Sequence, residues 1–109
     1  MEVTYQKNPC GGKGELKLEH ILSGAEMKDK CGLYARVTMR PGDSVGYHTH
    51  HGDGECYFIL SGEGVYDDNG TKRTVKAGDV TWTPDGSSHG LENTSGTEDL
   101  VFIALIIKS

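Results

Sequence analysis

The sequence predicts an all-β fold, a sandwich or barrel built from short strands. Sixteen glycines punctuate a chain of 109 residues and cut it into short segments. Those segments are rich in Val, Ile, Tyr and Thr, which suit a pleated, half-buried surface. The one stretch where a helix competes, Gly24–Lys30, is too short and too polar to stand alone, so the pattern is not one of βα alternation.

Taken in order, the candidate strands are Glu15–Leu22, Leu33–Met39, Gly46–His50, Glu55–Ser61, Gly64–Asp67, Lys72–Lys76, Val80–Thr83, Gly90–Asn93 and Leu100–Ile107. Pro41-Gly42-Asp43, Ala77-Gly78-Asp79 and Pro84-Asp85-Gly86 read as turns, with Pro preset for the bend and Gly free to take positive φ. Asn69-Gly70 supports the left-handed backbone of a type I′ turn, so Gly64–Asp67 and Lys72–Lys76 form a hairpin. The last strand, LVFIALII, is apolar on both faces and must be covered on both. Either it lies in the middle of a two-layer sandwich or one face meets a second subunit, and a homodimer is the expectation. Residues 1–14 read as a flexible N-terminal segment ahead of a single domain, 15–109.

Lys and Arg total 11 and Asp and Glu 16, a net charge of −5. With no basic cluster, neither nucleic acid nor an anionic membrane surface is expected as a partner. No apolar run reaches membrane-spanning length, and MEVTYQKNPCGG lacks a signal-peptide core. Three cysteines, Cys10, Cys31 and Cys56, cannot all pair and lack zinc-finger spacing. A reduced, cytoplasmic protein is the expectation.

The most informative run is GDSVGYHTHHGDGECYFILSG, Gly42 to Gly62. His48 and His50 stand two apart, so on a strand they share a face. Glu55 follows across a glycine-rich bend, where Gly52 and Gly54 allow a tight turn that swings it back toward the imidazoles. Two neutral imidazoles and a carboxylate converging on a point suit a divalent metal of borderline hardness. His89, aimed by the Pro84–Gly86 turn, is a fourth candidate. The donor set has no thiolate, which argues against a purely structural zinc and leaves Mn, Fe, Ni, Co, Cu or Zn open.

The spacings form two motifs. Gly42, His48, His50, Glu55 and Gly62 make the first; Gly78, Pro84, Gly86, His89 and Asn93 make the second. All ten positions match the two signature motifs of the cupin superfamily, which this chain therefore resembles from Gly42 to Asn93. The resemblance implies a small antiparallel jelly-roll barrel (a double-stranded β-helix). It also implies one divalent transition metal held inside by His48, His50, Glu55 and His89. Four such ligands on a six-coordinate ion leave two adjacent positions free for water, oxygen or a bidentate substrate.

Other residues take their places by alternation. Tyr57 and Ile59 share the face of Glu55 and should line the pocket, where Tyr57 could donate a hydrogen bond or act as an acid; a plain aromatic wall is the alternative. Cys56 and Phe58 then face a second layer. Tyr34, Arg36 and Thr38 alternate with Ala35, Val37 and Met39. If the first set faces inward, Arg36 is a carboxylate clamp beside the metal; if the second does, it is a surface residue. Trp82 reads as core, Leu91 as pocket wall, Tyr47 and His51 as outward-facing, His20 as surface or interface, and Asp53 as a turn residue.

The resemblance makes a metal-dependent enzyme acting on a small polar or carboxylate-bearing molecule the leading expectation, with oxygenase or decarboxylase chemistry preferred. A non-catalytic ligand-binding or metal-binding module and a sugar isomerase or epimerase are the alternatives.

Overall fold

The computed structural model describes residues 1–109. Ten strands run in chain order: β1 Glu2–Lys7, β2 Glu15–Leu22, β3 Cys31–Met39, β4 Ser44–Thr49, β5 Asp53–Ser61, β6 Glu63–Asp68, β7 Thr71–Lys76, β8 Val80–Thr83, β9 Ser88–Glu92 and β10 Leu100–Lys108. They form two antiparallel sheets. The larger has the order β1-β2-β3-β10-β5-β8 and the smaller β4-β9-β6-β7. No helix is long and apolar enough to cross a membrane.

Local chemistry accounts for the turns. Asp68 pairs with Thr71, so β6 and β7 are joined by Asn69 and Gly70 alone. Both have positive φ, 51° and 95°, as a type I′ turn requires. The Gly24–Lys30 stretch makes only a single 3-10 turn, Gly24–Met27, capped by the Ser23 amide donating to Glu26.

The inner faces of the two sheets pack against each other. β3 contributes Ala35, Val37 and Met39, β5 contributes Tyr57 and Ile59, and β10 contributes Leu100, Phe102 and Ala104, all buried. Opposite them lie Val45, Tyr66, Val75 and Leu91 of the smaller sheet. β10 sits between β3 and β5. Its other face, with Ile103 and Leu105, lies on the outside of the larger sheet and is only half-buried.

Several expectations are corrected. Residues 1–14 are not a loose tail: Glu2–Lys7 pairs along its length with Glu15–His20, and Pro9–Gly11 makes a 3-10 turn against β4. Arg36 is not a pocket residue. Ala35, Val37 and Met39 take the inward face, and the Arg36 guanidinium makes two hydrogen bonds to the Glu19 carboxylate on the outside, at 3.0 and 2.8 Å. Trp82 is not core. Thr81 and Thr83 face inward, and Trp82 is 49% exposed on the outer face. Its ring covers Gly54, where any Cβ would strike it. That close approach is why Gly54 is glycine; of the two bend glycines only Gly52 has positive φ. Cys56 and Phe58 also face outward, away from the second layer.

Candidate metal centre

The centre spans both sheets. His48 on β4 pairs with His89 on β9, which sets two imidazoles side by side on the inner face of the smaller sheet. His50 follows at the end of β4. The chain then turns through His51 and Gly52 into the larger sheet, where Glu55 and Tyr57 point inward from β5. Only the folded sandwich brings these groups together.

A bulge in β4 tunes this placement. Val45 pairs with Leu91 and His48 with His89, so three steps on β4 oppose two on β9. The extra residue keeps both Val45 and His48 inward and turns Tyr47 out to solvent. It also leaves the Gly46 carbonyl pointing at His48, whose Nδ1–H donates to it at 2.6 Å. Gly46 permits a further contact: a Cβ there would collide with the Cys10 carbonyl and the Gly12 amide of the N-terminal turn.

The four donor atoms of His48, His50, Glu55 and His89 lie within 4.8 Å of one another. His50 Nε2 and His89 Nε2 are 3.0 Å apart, and Glu55 Oε1 is 3.2 and 3.1 Å from them. Metal–nitrogen bonds of about 2.1 Å meeting at right angles would place neighbouring donors about 3.0 Å apart. The observed edges therefore fit three positions on one face of an octahedral ion.

Each imidazole is oriented through its far nitrogen, leaving Nε2 for the centre. His48 is held by Gly46. His50 Nδ1–H donates to Asp53 Oδ1 at 2.7 Å. His89 Nδ1 lies 2.9 Å from the Tyr66 hydroxyl, which also meets the Thr83 hydroxyl. Partners of this kind fix the tautomer and ring orientation of metal-binding histidines.

The charges follow from these bonds. The hydrogen bond to Glu55 pushes the His50 pKa from 6.5 up to about 9 against the opposing effect of burial, and Asp53 adds to the rise. A proton on His50 Nε2 thus sits where a cation fits. Burial pushes Glu55 up, but the hydrogen bonds from His50 and His89 outweigh it and the net shift is down. Burial lowers His48. Burial also raises Tyr57 well above the ordinary phenol range, so its hydroxyl stays protonated.

A cavity of about 230 Å³ opens from the cluster. His48, His50, Glu55 and Tyr57 line one end, and the Tyr57 ring stacks on His89 at 5.1 Å. Gln6 and Cys10 from the N-terminal segment line it too.

The structure thus brings together the four predicted donors and places Tyr57 beside them, while Arg36 lies elsewhere. Sequence reading missed Asp53, Tyr66 and Thr83 as supports. The three-residue step from His50 to Asp53 carried a local signal; Tyr66 carried none without knowing that β6 lies beside β9.

The arrangement is shared with known proteins. A family model described as the cupin domain matches residues 35–106. The chain belongs to the cupin family. Among curated cupin relatives, an oxalate-binding protein of Thermotoga maritima is 50% identical over 108 residues, covering 97% of this chain and 88% of the relative. A probable oxalate decarboxylase of Arthroderma benhamiae is 38% identical over 76 residues, 65% of this chain but only 19% of that protein. A crystal structure of a predicted oxalate decarboxylase from Thermotoga maritima superposes with a TM-score of 0.93 at 48% identity, covering 100% of this chain and 94% of that one. The cupin domain of Schizosaccharomyces pombe Cnp3, at 18% identity and TM-score 0.77 over 99% of this chain and 70% of that one, shares the fold.

Proposed function

We propose that this cupin holds one divalent transition metal through His48, His50, Glu55 and His89 and, through it, binds a small carboxylate such as oxalate. The single observation behind this reading is the gathering of the four donors within 4.8 Å, three of them with edges near 3 Å, at one end of an open cavity. A metal held there would supply a Lewis acid to which carboxylate oxygens could bind. The chain's own residues do the rest. Asp53, Gly46 and Tyr66 hold the imidazoles in register. Tyr57, kept neutral by burial, donates a hydrogen bond to a ligand oxygen. The relatives named for oxalate support the ligand class.

Turnover is a second reading, in which Tyr57 serves as the proton donor of an oxygenase or decarboxylase. It draws on the position of that hydroxyl against the cluster and on the relative named a probable oxalate decarboxylase.

The test is elemental analysis with calorimetry. Protein purified without chelator should carry about one metal per chain and bind oxalate only when loaded. His50→Ala and Glu55→Ala should lose metal and oxalate binding together; full metal in both refutes the ligand assignment. Release of carbon dioxide or uptake of oxygen by the loaded protein, abolished in Tyr57→Phe, would establish turnover.

A homodimer is proposed on separate grounds. Tyr34, Leu105, Cys56 and Trp82 form one row across the outer face of the larger sheet, with Ile103, Phe58 and Val80 beside it. This largely apolar patch, bordered by the Arg36–Glu19 ion pair that continues the Ile103 row, can meet its own copy about a two-fold axis. Sedimentation should give a dimer that Phe58→Glu dissociates; a monomeric wild type refutes it.

A further inference from the structure

We infer that the ligand of this cavity is a metal-chelating carboxylate with an apolar tail, of the short-chain 2-oxo acid class, rather than a second charged group. The inference rests on the metal–carboxylate reading above and concerns what lies beyond the chelating head.

The wall leading away from the centre is aliphatic. Across the larger sheet, Glu55 on β5 is followed by Ile106 on β10 and Leu33 on β3. In the next row Tyr57 pairs with Ala104, whose small side chain keeps the floor low. Leu16, Leu18, Val37 and Phe102 add to the lining of this half-open cavity. Two strand spacings, about 10 Å, separate the Glu55 end from the Leu33 end. That distance suits a short hydrocarbon chain lying across the strands.

The wall also lacks a counter-charge. No Lys or Arg lines the cavity. The one arginine that sequence reading could place there, Arg36, is engaged with Glu19 outside. A carboxylate projecting past the metal would lose its water against Ile106 and Leu33 with no cation in return, which is costly. Away from the four donors, the polar lining is the Tyr57 hydroxyl, the Gln6 amide and the Cys10 thiol. These can hydrogen-bond a carboxylate or keto oxygen but cannot neutralise a second anion. The cavity of about 230 Å³ has room for roughly eight waters at about 30 Å³ each. Oxalate, with six heavy atoms gathered at the metal, would leave the aliphatic end unfilled.

The experiment is titration calorimetry on Co²⁺-loaded protein with oxalate, pyruvate, 2-oxobutanoate, 2-oxopentanoate and 4-methyl-2-oxopentanoate. The visible Co²⁺ absorption reports independently that the head reaches the metal. Affinity should rise along the 2-oxo acids by about fourfold per added methylene, or about fifteenfold from pyruvate to 2-oxopentanoate. Leu33 is half-buried, so Leu33→Ser should fold; it should abolish the gain from the longer tails and leave pyruvate and oxalate within about twofold. If oxalate binds but affinity is flat or falls with tail length, the apolar-tail inference is wrong and the metal–carboxylate reading stands. If nothing perturbs the Co²⁺ spectrum or gives heat, both fail. An unchanged tail preference in Leu33→Ser likewise overturns the assignment of that wall to the tail.

Discussion

Replacing Tyr66 by Phe removes one oxygen from a fully buried site and little volume. In the native protein that hydroxyl joins His89 Nδ1 to the Thr83 hydroxyl, both out of water. Phe leaves both without this partner. Orphaning a buried polar group costs about 1–3 kcal/mol. For a domain of this size, at about 4 °C per kcal/mol, the metal-free protein should melt roughly 4–12 °C lower. The same bond sets the ring orientation of His89, and loss of such a support costs about 10- to 100-fold in metal affinity. Thermal melts in excess chelator measure the first effect, and Zn²⁺ competition against a chromophoric chelator measures the second. Tyr57→Phe is the control, because it leaves the His89–Tyr66 bond in place. A Tyr66→Phe protein with wild-type melting and wild-type Zn²⁺ affinity would refute the role given to this hydroxyl.

Asp53→Ala should weaken metal binding by about 10- to 100-fold, less than removal of His50 itself, and an NMR titration of the metal-free variant should find His50 below the wild-type value of about 9. Because His50 is protonated below about 9, metal binding near pH 7.5 should release about one proton, and apparent affinity should climb about tenfold per pH unit toward 9; calorimetry in buffers of different ionisation enthalpy counts the proton, and none released refutes the assignment. In the metal-free protein the raised His50 pKa contributes stability that is fully present below about 6.5 and lost as pH rises through about 9, so denaturant midpoints should fall over that window. Gly46→Ala drives a Cβ into the Cys10 carbonyl and should cost about 1–3 kcal/mol by chemical denaturation, whereas Gly96→Ala, with open space around it, should stay within about 0.5 kcal/mol.

Much of this fold is legible because local rules and tertiary demands agree. Asn69-Gly70 adopts the turn its chemistry favours, and Glu15–Leu22 and Val80–Thr83 have the bounds their patterns predict. In β1 the alternation of Val3 and Tyr5 marks no buried face, because all six residues of the strand are exposed. Trp82 misled because size and apolarity normally favour burial; here Thr81 and Thr83 take the inner face and the indole lies over Gly54. Arg36 was ambiguous because alternation defines two faces without saying which is inside; the full burial of Ala35, Val37 and Met39 decides it. At the centre, spacing suggested His48, His50 and Glu55, and the resemblance of the two motifs completed the set with His89. Their supports depend on which strands are neighbours and on the bulge at Gly46, neither of which is written into a single strand.

The family match begins at residue 35, and every donor of the centre lies within it. Six of the fifteen residues around the cavity do not: Gln6, Pro9, Cys10, Leu16, Leu18 and Leu33. The candidate metal donors thus all lie within the family match, whereas the cavity wall is shared between that match and the first thirty-four residues. Substitutions in the first thirty-four residues can therefore change the cavity wall without touching a donor of the centre. Exchanging that segment would alter one side of the cavity and leave the four donors in place.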